Sequence, residues 1–343
     1  MSEHDVIDLV ANAPIHRADA ATQALRVFEV QPEQVDKMQQ TRLIWRRIIA
    51  LSHLAVWCSP AGGGKTTIAK LAAAEMAASG YNVFFFQEDA SAGDLPGLFE
   101  HAKKHGYALL NTTLNGATPE SQIKVLRELV RSGADLSANV FILDTLKKFA
   151  DLMSKGGTRE FFRLMRGLTQ RGGTVLLLAH TNKHKGIDGR WMFEGVGDVR
   201  NDVDELIYIE AADKDAMGIV TMTLRPDKWR CLVQPLTFTL DTTTMVLAPS
   251  EAVVDVASIE ARRKRQEADA VVIEAVRSAL AGGGMSFVSL AQEVSSSTGL
   301  GLKAAGNVIS RWASSQPDEQ ALWVETRMRH RNVRHISLPP GKN

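Results

Sequence analysis

Nine residues constrain this chain more than any others: Ser59-Pro-Ala-Gly62-Gly63-Gly64-Lys65-Thr66-Thr67. They follow the apolar run Leu54-Ala-Val-Trp-Cys and precede a stretch, 66–78, that reads as a helix closed by Gly80. Strand, glycine turn and helix in that order leave loop amides and helix N-terminal amides facing one point, which favours an anion. The spacing matches G-x-x-x-x-G-K-[ST] except at Ser59, where the pattern has glycine. In that pattern the lysine reaches the β and γ phosphates of a nucleotide and the hydroxyl ligates Mg²⁺. Ser59, Gly62, Gly63, Gly64, Lys65, Thr66 and Thr67 are therefore the expected ATP-binding residues.

Apolar runs and helical patterns alternate from about residue 53 to 247, which predicts an α/β domain with a largely parallel sheet. Strands are expected at 83–86, 140–143 and 174–179, and helices at 119–130 and near 159–170, the last stopped by Gly172-Gly173. The runs at 206–209, 219–224 and 236–240 have no long helix between them and predict an antiparallel extension. Upstream, 1–50 reads as helical, with one apolar face over 35–49 and Pro32 at a position that a first helical turn tolerates.

A phosphate loop needs a carboxylate for its metal, and Asp144 closes the apolar run Val140-Phe-Ile-Leu143. Thr66 and Asp144 are the expected Mg²⁺ pair. Glu88 lies just past the strand 83–86, where strand ends meet a ligand crevice, and is the candidate for activating water, with Asp89 a weaker one. His180, at the end of the strand 174–179, could touch the γ-phosphate. Arg225, Lys228 and Arg230 follow the strand 219–224 and could reach a neighbour's phosphate as arginine fingers.

These features together resemble the RecA-like ATPases, most of all the hexameric replicative helicases of plasmids and mobile elements (the RepA type, related to DnaB). The resemblance covers roughly 50–247. It rests on the glycine loop, Glu88-Asp89, Asp144-Thr145-Leu146, His180-Thr-Asn-Lys183 and Lys228-x-Arg230. It implies that Glu88 is the catalytic base, that His180 senses the γ-phosphate, and that Lys228 and Arg230 act across a subunit interface. It also implies a homo-hexamer moving on single-stranded DNA. Partition ATPases carry a lysine five residues before the loop lysine, where Pro60 stands. GTPases carry Asn-Lys-x-Asp, whereas Asn182-Lys183-His184 leads to Lys185. A DNA-binding ATPase that loads or recombines without unwinding, or a nucleotide-switched regulator, stays open. The glycine- and charge-rich stretch 183–201 is the expected DNA-facing loop.

Composition adds exclusions. The net charge is +1, so a nucleic-acid partner has to come from local charge. Cys58 and Cys231 fit neither a disulfide framework nor a zinc spacing. The acidic N-terminus and the lack of any long apolar run predict a cytoplasmic protein without membrane contact. The expected division is 1–50, an ATPase domain 51–250, a linker 251–266 within the charged helix 257–270, and a small α+β module 267–343. That module reads as helices 267–280, 286–294 and 303–312, then strands 322–329 and 334–338, and resembles a winged helix. Lys303 and Arg311 on its third helix, with Arg327, Arg329, Arg331 and Arg334 on the hairpin, are the expected nucleic-acid contacts.

Overall fold

The computed structural model describes residues 23–35, 42–151, 154–185, 191–193, 199–315, 321–328 and 333–339. The chain divides into two compact units at Val254/Asp255.

In the first unit a short hairpin, β1 (Leu43–Trp45) and β2 (Ile49–Ala50), precedes β3 (Leu54–Ser59), helix α1 (Lys65–Ala78) and β4 (Asn82–Gln87). Then come α2 (Leu95–His105), β5 (Ala108–Leu110), α3 (Pro119–Arg131), β6 (Asn139–Asp144), α4 (Lys155–Gln170) and β7 (Thr174–Lys185). Strands β8 (Trp191–Phe193), β9 (Glu205–Ala211), β10 (Ile219–Lys228), β11 (Leu236–Asp241) and β12 (Val246–Pro249) complete it. The sheet order is β12-β11-β10-β9-β3-β7-β6-β4-β5, with β8 paired to β7. Strands β9, β3, β7, β6, β4 and β5 run parallel, so the domain is α/β with a mostly parallel sheet.

Period-two alternation explains why helices cover both faces. Ala55 and Trp57 of β3 join the core under α1, with Ile68, Ala72 and Met76. Leu54, Val56 and Cys58 join the opposite core, with Leu126 of α3 and Phe162, Met165 and Leu168 of α4. Each large side chain buried here contributes about 1.5–3 kcal/mol. Local signals set the helix ends. Pro119 stands at the start of α3, and the Ser154 side chain caps α4 by accepting from Gly157 N.

Four expectations need correction. Residues 43–50 form a hairpin rather than part of a helix; Trp45, Ile48 and Ile49 have helix-like spacing but pack into the α1 core around a turn with Arg46 and Arg47 at positive φ. The turn is tied to α1 by Trp45 Nε1 and Arg46 Nε, each 2.7 Å from Glu75 Oε2. Strand β7 continues past Ala179 to Lys185. Strand β9 joins β3 in parallel, and only β10, β11 and β12 extend the sheet antiparallel. Helix α2 and strand β5 had no counterpart in the sequence reading.

The second unit holds α5 (Val256–Ala268), α6 (Ala270–Leu280), β13 (Met285–Ser286), α7 (Phe287–Thr298), α8 (Leu302–Arg311), β14 (Ala313–Ser314), β15 (Trp323–Met328) and β16 (Val333–Ser337). Its sheet order is β13-β16-β15-β14. Val276, Leu290, Val294, Ile309 and Trp323 fill its core, and Trp323 Nε1 donates to Ile309 O at 2.8 Å. The charged helix expected as a linker belongs to this unit: Asp255 caps it and Arg262 lies 6.0 Å from the Trp312 ring centre. No described helix is long and apolar enough to cross a membrane.

Candidate functional site

The glycine loop hangs between β3 and α1. Ser59, the departure from the pattern, is the buried last residue of β3, in register with His180 of β7. Its extended backbone needs no left-handed φ, so serine fits where glycine is usual. Its hydroxyl donates to Pro60 O at 3.0 Å. The freedom of glycine is used further on. Gly64 sits at φ +85°, and a Cβ there would run into Met222 Sδ of β10. Gly64 is also the N-cap of α1 and brings no side-chain cap, so the first-turn amides have no side chain closing them.

Lys65 opens α1 and folds back over the loop. Its Nζ is 3.2 Å from Ser59 O, Ser59 Oγ and Pro60 O, and 3.4 Å from His180 Nδ1. Burial lowers the pKa of this ammonium, and the Asp144 carboxylate opposes that shift. Thr66 Oγ1 donates to Asp144 Oδ2 at 2.6 Å, and Gln87 Nε2 donates to the same oxygen at 2.8 Å. Burial raises the Asp144 carboxyl pKa against the pull of Thr66, Gln87 and Lys65. Thr67 follows in the same first turn, half-buried. A cationic lysine, a hydroxyl and a buried carboxylate beside an uncapped helix N-terminus suit a triphosphate with a hard divalent cation.

Gln87 is a residue that sequence reasoning missed. Besides holding Asp144, its Oε1 accepts from Asp89 N at 2.9 Å and Ala90 N at 3.1 Å. It is the polar last residue of an apolar strand and pairs in register with Asp144, which was the available signal.

Glu88 and Asp89 part company after β4. The Glu88 carboxylate accepts from Thr112 N at 2.9 Å, Thr112 Oγ1 at 2.7 Å and Gln122 Nε2 at 3.0 Å, which turns it toward the β5–α3 connection. Asp89 lies 3.6 Å from Lys148 Nζ and 3.8 Å from His180 Nε2. It is the carboxylate of the two that contacts a neighbour of Lys65. His180 sits inside β7 and not past its end.

The late basic residues, expected to reach a neighbour's phosphate, have partners within the chain. Arg225 Nε bonds Glu210 Oε1 at 2.7 Å, Lys228 Nζ bonds Arg200 O at 2.6 Å, and Arg230 Nη1 is 3.1 Å from Asp204 Oδ1. Lys228 pairs with Leu206, near the start of β9, so it stands at the end of the sheet away from the glycine loop. Six strand positions separate it from Met222, or roughly 20 Å at about 3.3 Å per residue.

In the second unit, Arg334 is held by Glu325 at 2.7 and 3.0 Å and by Ser310 Oγ at 3.0 Å, and stacks 3.9 Å from the Phe287 ring centre. Arg311 bonds Asp269 Oδ2 at 2.6 Å. These two arginines are engaged inside the unit, whereas Arg327 and Lys303 are exposed. Arg329 and Arg331 lie outside the described residues, as do 186–190 and 194–198 of the expected DNA-facing loop.

No family model matches the sequence. No curated protein matches it either. Among solved structures, the chain is similar to the flagellar accessory protein FlaH from Methanocaldococcus jannaschii, at 11% identity. That match covers 60% of this chain and 92% of FlaH, with a TM-score of 0.44.

Proposed function

We propose that this chain binds Mg·ATP at 59–67 and hydrolyses it on a RecA-like core. The finer reading is a DNA motor of the ring-shaped replicative helicase type found in plasmids, phages and integrated elements. One observation supports the nucleotide reading above the rest: Lys65, Thr66 and Asp144 meet at the uncapped start of α1, with Thr66 Oγ1 2.6 Å from Asp144 Oδ2. The bound magnesium nucleotide would supply the bond to be broken and a cation that spreads the phosphate charge.

The chain's own residues have distinct tasks. Lys65 exchanges the carbonyls of Ser59 and Pro60 for phosphate oxygens. Thr66 and Asp144 would hold the cation and its water, and Gln87 keeps Asp144 oriented. Glu88 orients and deprotonates the attacking water once released from Thr112 and Gln122; Asp89 is already shared between Lys148 and His180. His180 links Lys65 to Asp89 and would register loss of the γ-phosphate through that link.

The ring reading is supported by where Lys228 and Arg230 stand. From the far end of the sheet they cannot serve their own subunit's phosphates, so any role in hydrolysis is toward a neighbour's. The DNA reading is supported by the exposed Lys303 and Arg327 in a unit whose helices and hairpin resemble a winged helix.

Calorimetry with Mg·ATP tests the base of this reading: one molecule should bind per chain, and Lys65→Ala should abolish uptake. Equal binding by both proteins would end it. Glu88→Gln should lower turnover by about 100-fold or more with binding intact, and Asp89→Asn by less than about tenfold. The reverse order would move the base to Asp89. On forked DNA, turnover stimulated by single strands without unwinding would replace the helicase by a loading or recombination ATPase.

A further inference from the structure

At the end of the sheet opposite the glycine loop, three side chains from distant stretches of sequence meet. His53 precedes β3, Glu205 opens β9 and Cys231 follows β10. The parallel pairing of Ala55 with Glu205 and the antiparallel return of β10 along β9 bring them together. His53 Nδ1 is 2.6 Å and Cys231 Sγ 3.6 Å from Glu205 Oε1, and the three ligand atoms lie within 4.8 Å of one another.

The carboxylate is the telling member. Glu205 has no solvent exposure, and its second oxygen, Oε2, has no hydrogen-bond partner among the described residues. A buried carboxylate oxygen without a donor is costly and rare in native structures. A purely hydrogen-bonded trio accounts for Oε1 and leaves Oε2 unexplained. A cation among the three would take one carboxylate oxygen, and a water bound to it would donate to the other.

We propose that His53, Glu205 and Cys231 form a zinc site, with water as the fourth ligand. Imidazole nitrogen, carboxylate oxygen and thiolate sulfur are donors that zinc takes together, whereas magnesium and calcium avoid sulfur. Tetrahedral bonds of about 2.3 Å to sulfur and about 2.1 Å to oxygen set those two atoms about 3.6 Å apart. That is the spacing found between Cys231 and Glu205. The His53–Glu205 hydrogen bond must open by roughly 0.7 Å to admit the ion. The Cys231 thiol proton leaves to solvent as the thiolate binds, and the Nδ1 proton that His53 donates to Glu205 is displaced too, so that the bound imidazole is neutral with its one proton on Nε2. Thiolate and carboxylate then balance the charge of the ion. His53 and Cys231 are both partly exposed, which gives zinc and water a way in.

The site is independent of the nucleotide reading but adjoins it. Cys231 directly follows Arg230, and Arg230 pairs with Asp204, which directly precedes Glu205. An ion here would clamp the turn that carries Arg230.

Cobalt provides the test. Full-length protein, stripped by chelator and free of nucleotide and of any histidine tag, is titrated with Co²⁺ and then Zn²⁺. We expect one equivalent of cobalt to raise a thiolate-to-cobalt charge-transfer band that zinc abolishes. Cys58→Ala should keep the band and Cys231→Ser should lose it. Against a chromophoric chelator, Cys231→Ser should weaken zinc by roughly 100-fold or more, beyond the usual effect of losing an outer partner. Glu205→Gln should do the same. Should that buried substitution prevent folding, the serine variant decides alone, because Cys231 is only half-buried and its circular dichroism can be matched to the parent. No one-equivalent band in the parent protein, or a band that survives Cys231→Ser, overturns the site.

Discussion

Ser59 and Gly63 compete for one small space. A Cβ on Gly63 would stand 2.6 Å from Ser59 Oγ, 2.9 Å from Ser59 Cβ and 3.1 Å from Pro60 O. Gly63→Ala should therefore cost about 1–3 kcal/mol by overpacking. Ser59→Gly should cost about 0.5–1 kcal/mol through the flexibility that glycine adds to the end of β3. The double variant removes both close Ser59 atoms, so its loss should be smaller than the sum by at least about 1 kcal/mol. Urea unfolding of the four proteins measures this, and additivity within about 0.5 kcal/mol would show that the loop relaxes another way. At this scale the sequence was legible where a motif or a strand end sets a residue's place: Lys65 and Thr66 come from the glycine loop, and Asp144, closing the apolar run 140–143, lies beside Thr66. It was not legible where side-chain direction decides. Nothing in the sequence told which of Glu88 and Asp89 turns toward Thr112 and which toward His180, since the backbone bend after β4 settles it.

Helix α2 shows what short elements hide. Gly93, Pro96 and Gly97 read as turn residues, and within the helix only Leu95, Leu98 and Ala102 are buried, so its periodicity is too faint to find. The parallel placing of β9 was hidden for another reason, because strand direction depends on the crossover and not on the strand's own residues. The β1–β2 hairpin was misread because Trp45, Ile48 and Ile49 have the spacing of a helix face. Yet α2 carries a testable charge device. His101 Nδ1 lies 3.0 Å from Tyr107 Oη and its ring 4.4 Å from that of His105. Burial first, then the charges of Lys70, His105 and Lys104, depress its pKa from 6.5 to about 4. The folded protein thus keeps His101 neutral where the unfolded chain is protonated. Its contribution is fully present above pH 6.5 and is lost as pH falls toward 4, because the unfolded state binds more protons in that window. His101→Gln cannot titrate, so the urea midpoint of the variant should fall less than the parent's between about pH 7.5 and about pH 4.5. Parallel curves would show that His101 is protonated without cost in the fold.

At the scale of the whole molecule the two units make separate demands on their basic residues. Arg334 binds Glu325 and Ser310 and covers Phe287, so Arg334→Ala should lower the stability of the second unit by about 1–2 kcal/mol. Arg327→Ala should leave melting nearly unchanged and reduce the slope of log affinity against log salt by about 0.9 for duplex DNA. An unchanged slope would assign this unit to protein contacts. In the first unit the sheet carries candidate residues at both ends, which the order of residues along the chain conceals: Arg230 follows a strand whose beginning, and not its end, borders the glycine loop. For Arg230 to serve a neighbour it must leave Asp204. That is inexpensive, since Arg230 is 59% exposed and such pairs contribute about 0–1 kcal/mol. Asp204 is not stranded either, because Arg166 Nη1 stays 2.5 Å from its Oδ2. A complete catalytic site would then need Lys65 from one subunit and Arg230 from the next. Arg230→Ala and Lys65→Ala should each be nearly inactive alone. Coexpressed in equal amounts and assembled at random, they place an intact Lys65 beside a neighbour's intact Arg230 at roughly a quarter of the interfaces. Turnover should recover toward that fraction of the parent's, read as phosphate release per chain. A mixture no more active than the sum of its parts would mean that each subunit completes its site by itself, and Arg230 would revert to a surface partner of Asp204.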